Sequence, residues 1–103
     1  GIDPSNTKKN LLTIIEKVRD KNSSIEIILA GMEAPPNLGQ QYTSNFRSVF
    51  REVANEKEVT FMPFLLEDVA GIEELNQPDG IHPTAEGQQI IANHIWAYVK
   101  PLL

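Results

Sequence analysis

The sequence predicts an α/β fold in which parallel strands alternate with helices. Two short runs rich in β-branched and apolar residues, 24–31 and 59–62, read as buried strands, and each lies between stretches whose apolar residues recur at helical spacing. Proline and glycine punctuate the boundaries between these segments. Such alternation implies parallel strands joined by right-handed crossovers, with helices on both faces of the sheet.

In order along the chain, Asp3-Pro4-Ser5-Asn6 offers N-cap candidates for a first helix running from Pro4 or Asn6 to Asp20. Leu11, Leu12, Ile14, Ile15 and Val18 form its apolar stripe, and Lys21-Asn22-Ser23 ends it. Residues 24–31, Ser-Ile-Glu-Ile-Ile-Leu-Ala-Gly, follow as a strand. Residues 32–41 contain Pro35-Pro36 and Gly39, which predict a loop without regular structure. A loop of that length at the end of a strand is often functional. Thr43 or Ser44 is placed to cap a second helix whose apolar face is Phe46, Val49, Phe50 and Val53, ending near residues 55–57. A second strand at 59–62 stops at Pro63. Residues 64–71 suit a helical turn or short helix, 73–78 a loop, and Ile90, Ile91, Ile95, Trp96 and Val99 mark a last helix from Thr84 to Tyr98, closed by Pro101. Two strands do not make a stable sheet alone, so an upstream segment of the same protein or another chain is expected at the open sheet edge.

Composition narrows the partners. The 103 residues bound at most one domain, 41% of them are apolar and 22% charged, and the balance is that of a globular protein. A formal charge of −5, with basic residues scattered apart from Lys8-Lys9, argues against nucleic acid and anionic membranes, both of which reward clustered Lys and Arg. The chain has no cysteine, so this stretch offers neither disulfide, thiolate ligand nor thiol nucleophile. No apolar run approaches the length of a transmembrane segment. Gly1-Ile2-Asp3-Pro4 has neither the basic start nor the apolar block of a signal peptide.

The chemistry concentrates in Asp79-Gly80-Ile81-His82-Pro83, set directly before the last helix. A carboxylate three residues ahead of an imidazole, with Gly80 allowing a tight turn, can fold back on Nδ1, fix the tautomer and leave Nε2 to act as a base. The plainer reading makes Asp79 a turn residue and His82 a surface residue, since Asp-Gly turns before helices are common. The pair amounts to two thirds of a Ser-His-Asp set. Ser5, Ser23, Ser24, Ser44 and Ser48 are the serines present, and none sits in a nucleophile elbow. His94 falls on the polar side of the last helix and reads as a surface residue. Asp79, His82 and Glu86 lack a further strong ligand at suitable spacing, so no metal is expected. The stretch from Ala34 through Pro35, Pro36, Asn37, Leu38 and Gly39 to Tyr42 mixes apolar and amide groups at a strand end, which fits either a substrate-facing lid or a rigid connection.

Taken together, these stretches resemble the C-terminal part of an SGNH (GDSL-type) hydrolase, with the nearest likeness to the bacterial thioesterase I, arylesterase and lysophospholipase group. The matching segments are Ile28-Leu29-Ala30-Gly31-Met32, Ala34-Pro35-Pro36-Asn37-Leu38-Gly39 with Tyr42, residues 59–66 with Pro63-Phe64-Leu65-Leu66, and Asp79-Gly80-Ile81-His82-Pro83-Thr84-Ala85-Glu86-Gly87. The resemblance implies a three-layer α/β/α, flavodoxin-like fold and hydrolysis of small or lipid-like esters or thioesters without a cofactor. It makes His82 the general base and Asp79 its orienting acid. It places Pro35, Pro36, Asn37 and Leu38 in the loop over the acyl chain, and Ile81 near the acyl pocket. The Gly-Asp-Ser nucleophile block and the oxyanion-hole blocks of that family do not occur in these 103 residues. The expectation is therefore one C-terminal portion of a single domain, inactive alone, needing the N-terminal part of the same enzyme. A periplasmic or secreted setting fits the likeness. Two other readings share the sequence: a carbohydrate de-acetylase of the same superfamily, and a non-catalytic module that associates through its exposed sheet edge.

Overall fold

The computed structural model of the chain describes residues 3–103, apart from the side chain of Pro36. Gly1 and Ile2, the start of the stretch read above for a signal peptide, lie outside the described residues. The chain divides into two compact units, Gly1–Pro63 and Phe64–Leu103.

The first unit contains helix α1 (Pro4–Lys21), strand β1 (Ile28–Ala30), helix α2 (Gln40–Lys57) and strand β2 (Thr60–Met62). Asp3 caps α1. Its Oδ1 accepts from the amide of Ser5 at 2.9 Å and from the Ser5 hydroxyl at 2.8 Å, and these bonds hold the Asp3 carboxyl below its ordinary pKa. Pro4 at the first helical position forfeits no bond, because its missing N–H would have had no partner there. Ile15 of α1 meets Val49 and Val53 of α2, and Leu11, Leu12, Ile27, Leu29 and Val59 pack around them. Ile27, just ahead of β1, and Leu29 within it lie two residues apart and so share a face, which puts both helices on one side of the sheet. Full burial, which Ile15, Val49 and Val53 approach, is worth about 1.5–3 kcal/mol per side chain.

The strands are parallel, with Ile28 opposite Thr60, Leu29 opposite Phe61 and Ala30 opposite Met62. β1 is shorter than the expected run of residues 24–31. A ladder needs a partner on the neighbouring strand, and β2 supplies three residues, extended at its ends by the bonds from Thr60 N to Ile27 O and from Gly31 N to Met62 O. Gly31 is required here, since a Cβ would run into the carbonyl of Pro63.

The other departures in this unit concern the loop. It is shorter than the expected 32–41 and not wholly irregular, because Pro36–Leu38 form a 3₁₀ turn. Helix α2 begins at Gln40 rather than after Thr43 or Ser44. Gly39, at φ 92°, ψ 150°, swings the chain straight into the helix, and the Thr43 hydroxyl bonds back to Gln40 O instead of capping. Tyr42 is thus a helical residue. At the far end Glu58 adopts a left-handed conformation (φ 54°), and Val59 N reaches back to Ala54 O, closing the helix in the manner usually given to glycine.

The second unit holds a run of turns over residues 65–71, a 3₁₀ turn at Glu73–Leu75, helix α3 (Ala85–Val99) and a closing 3₁₀ turn, Lys100–Leu102. Thr84 caps α3, its hydroxyl accepting from Gly87 N at 3.2 Å. Val69 and Leu75 are buried, and Gly87 lets the first turn of α3 approach them. A Cβ there would strike the carbonyl oxygen of Leu75. The stretch expected as plain loop, 73–78, is therefore partly helical and closely packed at Leu75.

Candidate functional site

Asp79 and His82 sit at the tip of a chain reversal whose base is a small antiparallel bridge between Asn76 and Pro83. Above the bridge, Gln77 N donates to His82 O at 2.7 Å and Gly80 N donates to Gln77 O at 2.8 Å. Below it, Thr84 N donates to Leu75 O at 2.9 Å. Gly80 takes φ 71°, the left-handed value that closes the turn between the two side chains.

Within this frame the Asp79 carboxylate makes three contacts. Oδ1 takes the amides of Ile81 at 2.9 Å and His82 at 3.0 Å, and Oδ2 lies 2.6 Å from His82 Nδ1. The hydrogen bond to the imidazole, helped by the two amides, lowers the Asp79 carboxyl from its ordinary value to about 2. An ionised Asp79 accepts only, so Nδ1 carries the proton and, in the neutral ring, Nε2 bears the lone pair. No described residue bonds Nε2, and the His82 side chain is 70% exposed. The arrangement thus holds an imidazole in one tautomer with its basic nitrogen directed outward.

The remaining candidate residues are distributed as follows. Ile81, 71% exposed, stands between the paired residues on the same tip. Pro35, Asn37 and Leu38 belong to the first unit, in the turn that follows β1, where Leu38 N donates to Pro35 O at 3.2 Å and Leu38 is 41% exposed. The side chain of Pro36 lies outside the description. Glu33, at the start of this turn, accepts from Arg47 Nε at 2.8 and 2.9 Å, which ties the turn to α2. His94, read as a surface residue, is half-buried and lies 3.3 Å from the Asp68 carboxylate. An open cavity of about 550 Å³ lies beside the reversal, lined by the 71–73 turn and by Asn76, Gln77, Pro78 and Gly80. Among the described residues no cluster of His, Cys, Asp and Glu is arranged to hold a metal ion, and no helix is long and apolar enough to cross a membrane.

Reading residues 73–78 as connection overlooks Asn76 and Gln77, which carry the base of the reversal. The available signal was two consecutive amide side chains ahead of Pro78-Asp79-Gly80, because amides in turns commonly bond to main-chain groups.

Comparison with known proteins identifies the family of the chain. The sequence pattern of the GDSL-like lipase/acylhydrolase family matches residues 1–90. Esterase TesA of Pseudomonas aeruginosa is 34% identical over all 103 residues, and thioesterase 1/protease 1/lysophospholipase L1 of Escherichia coli K12 is 31% identical over the same span. The match covers 50% of the first and 49% of the second, so the chain spans about half the length of the curated relatives it matches. A crystal structure of TesA superposes with a TM-score of 0.89 at 34% identity, covering the whole chain and 56% of that structure. The α/β fold, the family pattern and these whole-chain similarities agree: the chain belongs to the GDSL-like lipase/acylhydrolase family.

Proposed function

We propose that this chain is the C-terminal portion of a single SGNH hydrolase domain and supplies the histidine and aspartate of a Ser-His-Asp set that cleaves carboxylic esters or thioesters. The observation that carries the reading is the 2.6 Å contact between Asp79 Oδ2 and His82 Nδ1, made while Nε2 remains open to solvent. The serine comes from outside these 103 residues. His82 Nε2 takes the serine proton as the hydroxyl attacks the acyl carbonyl, then returns it to the departing alcohol or thiol. A water deprotonated by the same nitrogen releases the acid. Asp79 remains ionised throughout, orienting the ring and offsetting the charge of the imidazolium. Oxyanion donors also come from outside the chain, so the isolated chain is inactive, and the N-terminal part of the protein is its required partner.

The relatives' names, esterase, thioesterase and lysophospholipase, support an acyl ester or thioester as substrate. Leu38 of the first unit and Ile81 of the second are each exposed, and each is a candidate for apolar contact with an acyl chain, with Pro35, Pro36 and Asn37 shaping the turn that carries Leu38. The two-stranded sheet supports the same proposal, because both strands keep an unpaired edge among the described residues, where further strands of the domain attach.

The test is turnover of the full-length gene product on short and long p-nitrophenyl esters, with acetylated sugars as the competing class. Replacing His82 with Ala lowers kcat by several orders of magnitude, on the order of the losses known for triad bases. Undiminished turnover removes His82 from the mechanism, and a preference for acetylated sugars replaces the acyl-ester reading with a de-acetylase.

A further inference from the structure

Asn76 is the polar side chain that joins the Asp79–His82 reversal to the interior of the second unit. Its Nδ2 donates to Val69 O and to Ile72 O, each at 2.8 Å. Both hydrogens of the carboxamide are thereby spent on main-chain carbonyls of the turn that carries Val69, a side chain with no solvent exposure. The main chain of the same residue forms the bridge to Pro83, and the next amide, Gln77 N, donates to His82 O at 2.7 Å. Gln77 Nε2 adds a longer contact to Pro83 O at 3.4 Å. A connected path therefore runs from Val69 through the Asn76 carboxamide and the Gln77 amide to the backbone of His82. Asp79 fixes the direction of the ring relative to its own loop, but nothing in that contact fixes where the loop stands. Asn76 does.

From this connection we infer that Asn76 is a positioning residue for the reaction proposed above, on which the inference rests: its carboxamide sets the place of the His82 ring relative to the body of the second unit. Serine, alanine and aspartate cannot replace it. Serine keeps a single hydroxyl hydrogen for two carbonyls, alanine leaves both unpaired, and aspartate would set a carboxylate against them. Displacement of a catalytic group by about 1 Å costs up to roughly 100-fold in rate, so the effect belongs in kcat rather than in substrate binding.

The experiment uses the full-length gene product, with active serines counted by a phosphonate titrant so that rates refer to folded enzyme. Asn76→Ala lowers kcat about 10- to 100-fold with KM little changed, and Asn76→Ser falls between it and the wild type. The downfield proton resonance of the short Nδ1–Asp79 bond weakens or broadens in Asn76→Ala. It persists in Gln89→Ala, which removes an amide bonded to Asn93 on α3 and leaves turnover unchanged. In the unmutated protein the amide hydrogens of Gln77 and Thr84 exchange as slowly as that of Ala70, which is bonded within the anchoring turn. Wild-type kcat per active serine in both Asn76 variants overturns the inference, as does rapid exchange at Gln77 and Thr84. A His82→Ala control separates the two levels. If it abolishes turnover while Asn76→Ala does not, only the positioning role falls. If it retains turnover, the parent reading falls.

Discussion

In the first unit Ile15, Val49 and Val53, each no more than 5% exposed, interlock two long helices over a pair of strands. In the second unit the exposed reversal at 77–82 is held by bonds to main-chain carbonyls and to one carboxylate, and Val69 and Leu75 are the buried apolar side chains of the unit among the described residues. The charge follows the same division. Up to Pro63 the sequence has eight basic and eight acidic residues. After it there are one and six, so the whole formal charge of −5 belongs to the second unit. The difference teaches how labour is divided in the chain. Loss of a methyl group from apolar packing lowers stability by degrees, whereas a hydrogen-bonded loop that holds one imidazole in place depends on individual atoms.

The largest effect expected from that contrast is on Asp79. In the full-length protein, Asp79→Asn cuts kcat by on the order of 10³- to 10⁴-fold, because the amide can present a donor to Nδ1 and so favour the wrong tautomer. Overall stability measured by urea unfolding changes far less. Equal activity of the two proteins would remove the distinction between the units.

Next in size are two interior substitutions that act in opposite units. Val53→Ala, at a side chain with no exposure, lowers unfolding free energy by about 1–3 kcal/mol and leaves kcat per active serine intact. Gly87→Ala forces α3 away from the Leu75 carbonyl, with a stability loss of about 1–3 kcal/mol, and also lowers kcat, since Thr84 and Leu75 anchor the reversal. Parallel effects of these two changes on kcat would blur the comparison.

A smaller signature is the acid titration of the reversal. Asp79 is lowered in the folded state, from 3.8 to about 2, so its contribution to stability is full above about pH 4 and disappears as pH falls through about 2. The carboxyl carbon resonance of Asp79 followed by NMR should titrate near 2. A midpoint near 4 would mean that the bond to His82 is not formed in solution. The smallest effect is at the surface of the first unit, where Lys57→Ala, which removes the 2.9 Å pair with Glu16, costs less than about 1 kcal/mol in chemical denaturation.

How far these features could be read in advance depended on the range of the forces that make them. The helices were legible because Leu11, Ile15, Val49 and Val53 repeat at helical spacing, and a repeat reports burial directly. The strands were legible as to place but not as to length, since β1 ends where β2 stops offering partners, a fact stored some thirty residues away. The start of α2 was misplaced because Thr43 resembles a cap, whereas the backbone of Gly39 does the work. The Asp79–His82 contact was legible from its three-residue spacing around Gly80. The support beneath it was not, because the bonds from Asn76 to Val69 and Ile72 follow no period and are visible only once the turn has closed.

The proposed chemistry rests on one nitrogen atom, His82 Nε2, whose surroundings a crystal structure of the full-length gene product would reveal. A serine hydroxyl is expected within roughly 2.6–3.2 Å of His82 Nε2, with Nδ1 still bonded to Asp79. A structure in which Nε2 faces only bulk water, or in which His82 has turned away from Asp79, would contradict that chemistry.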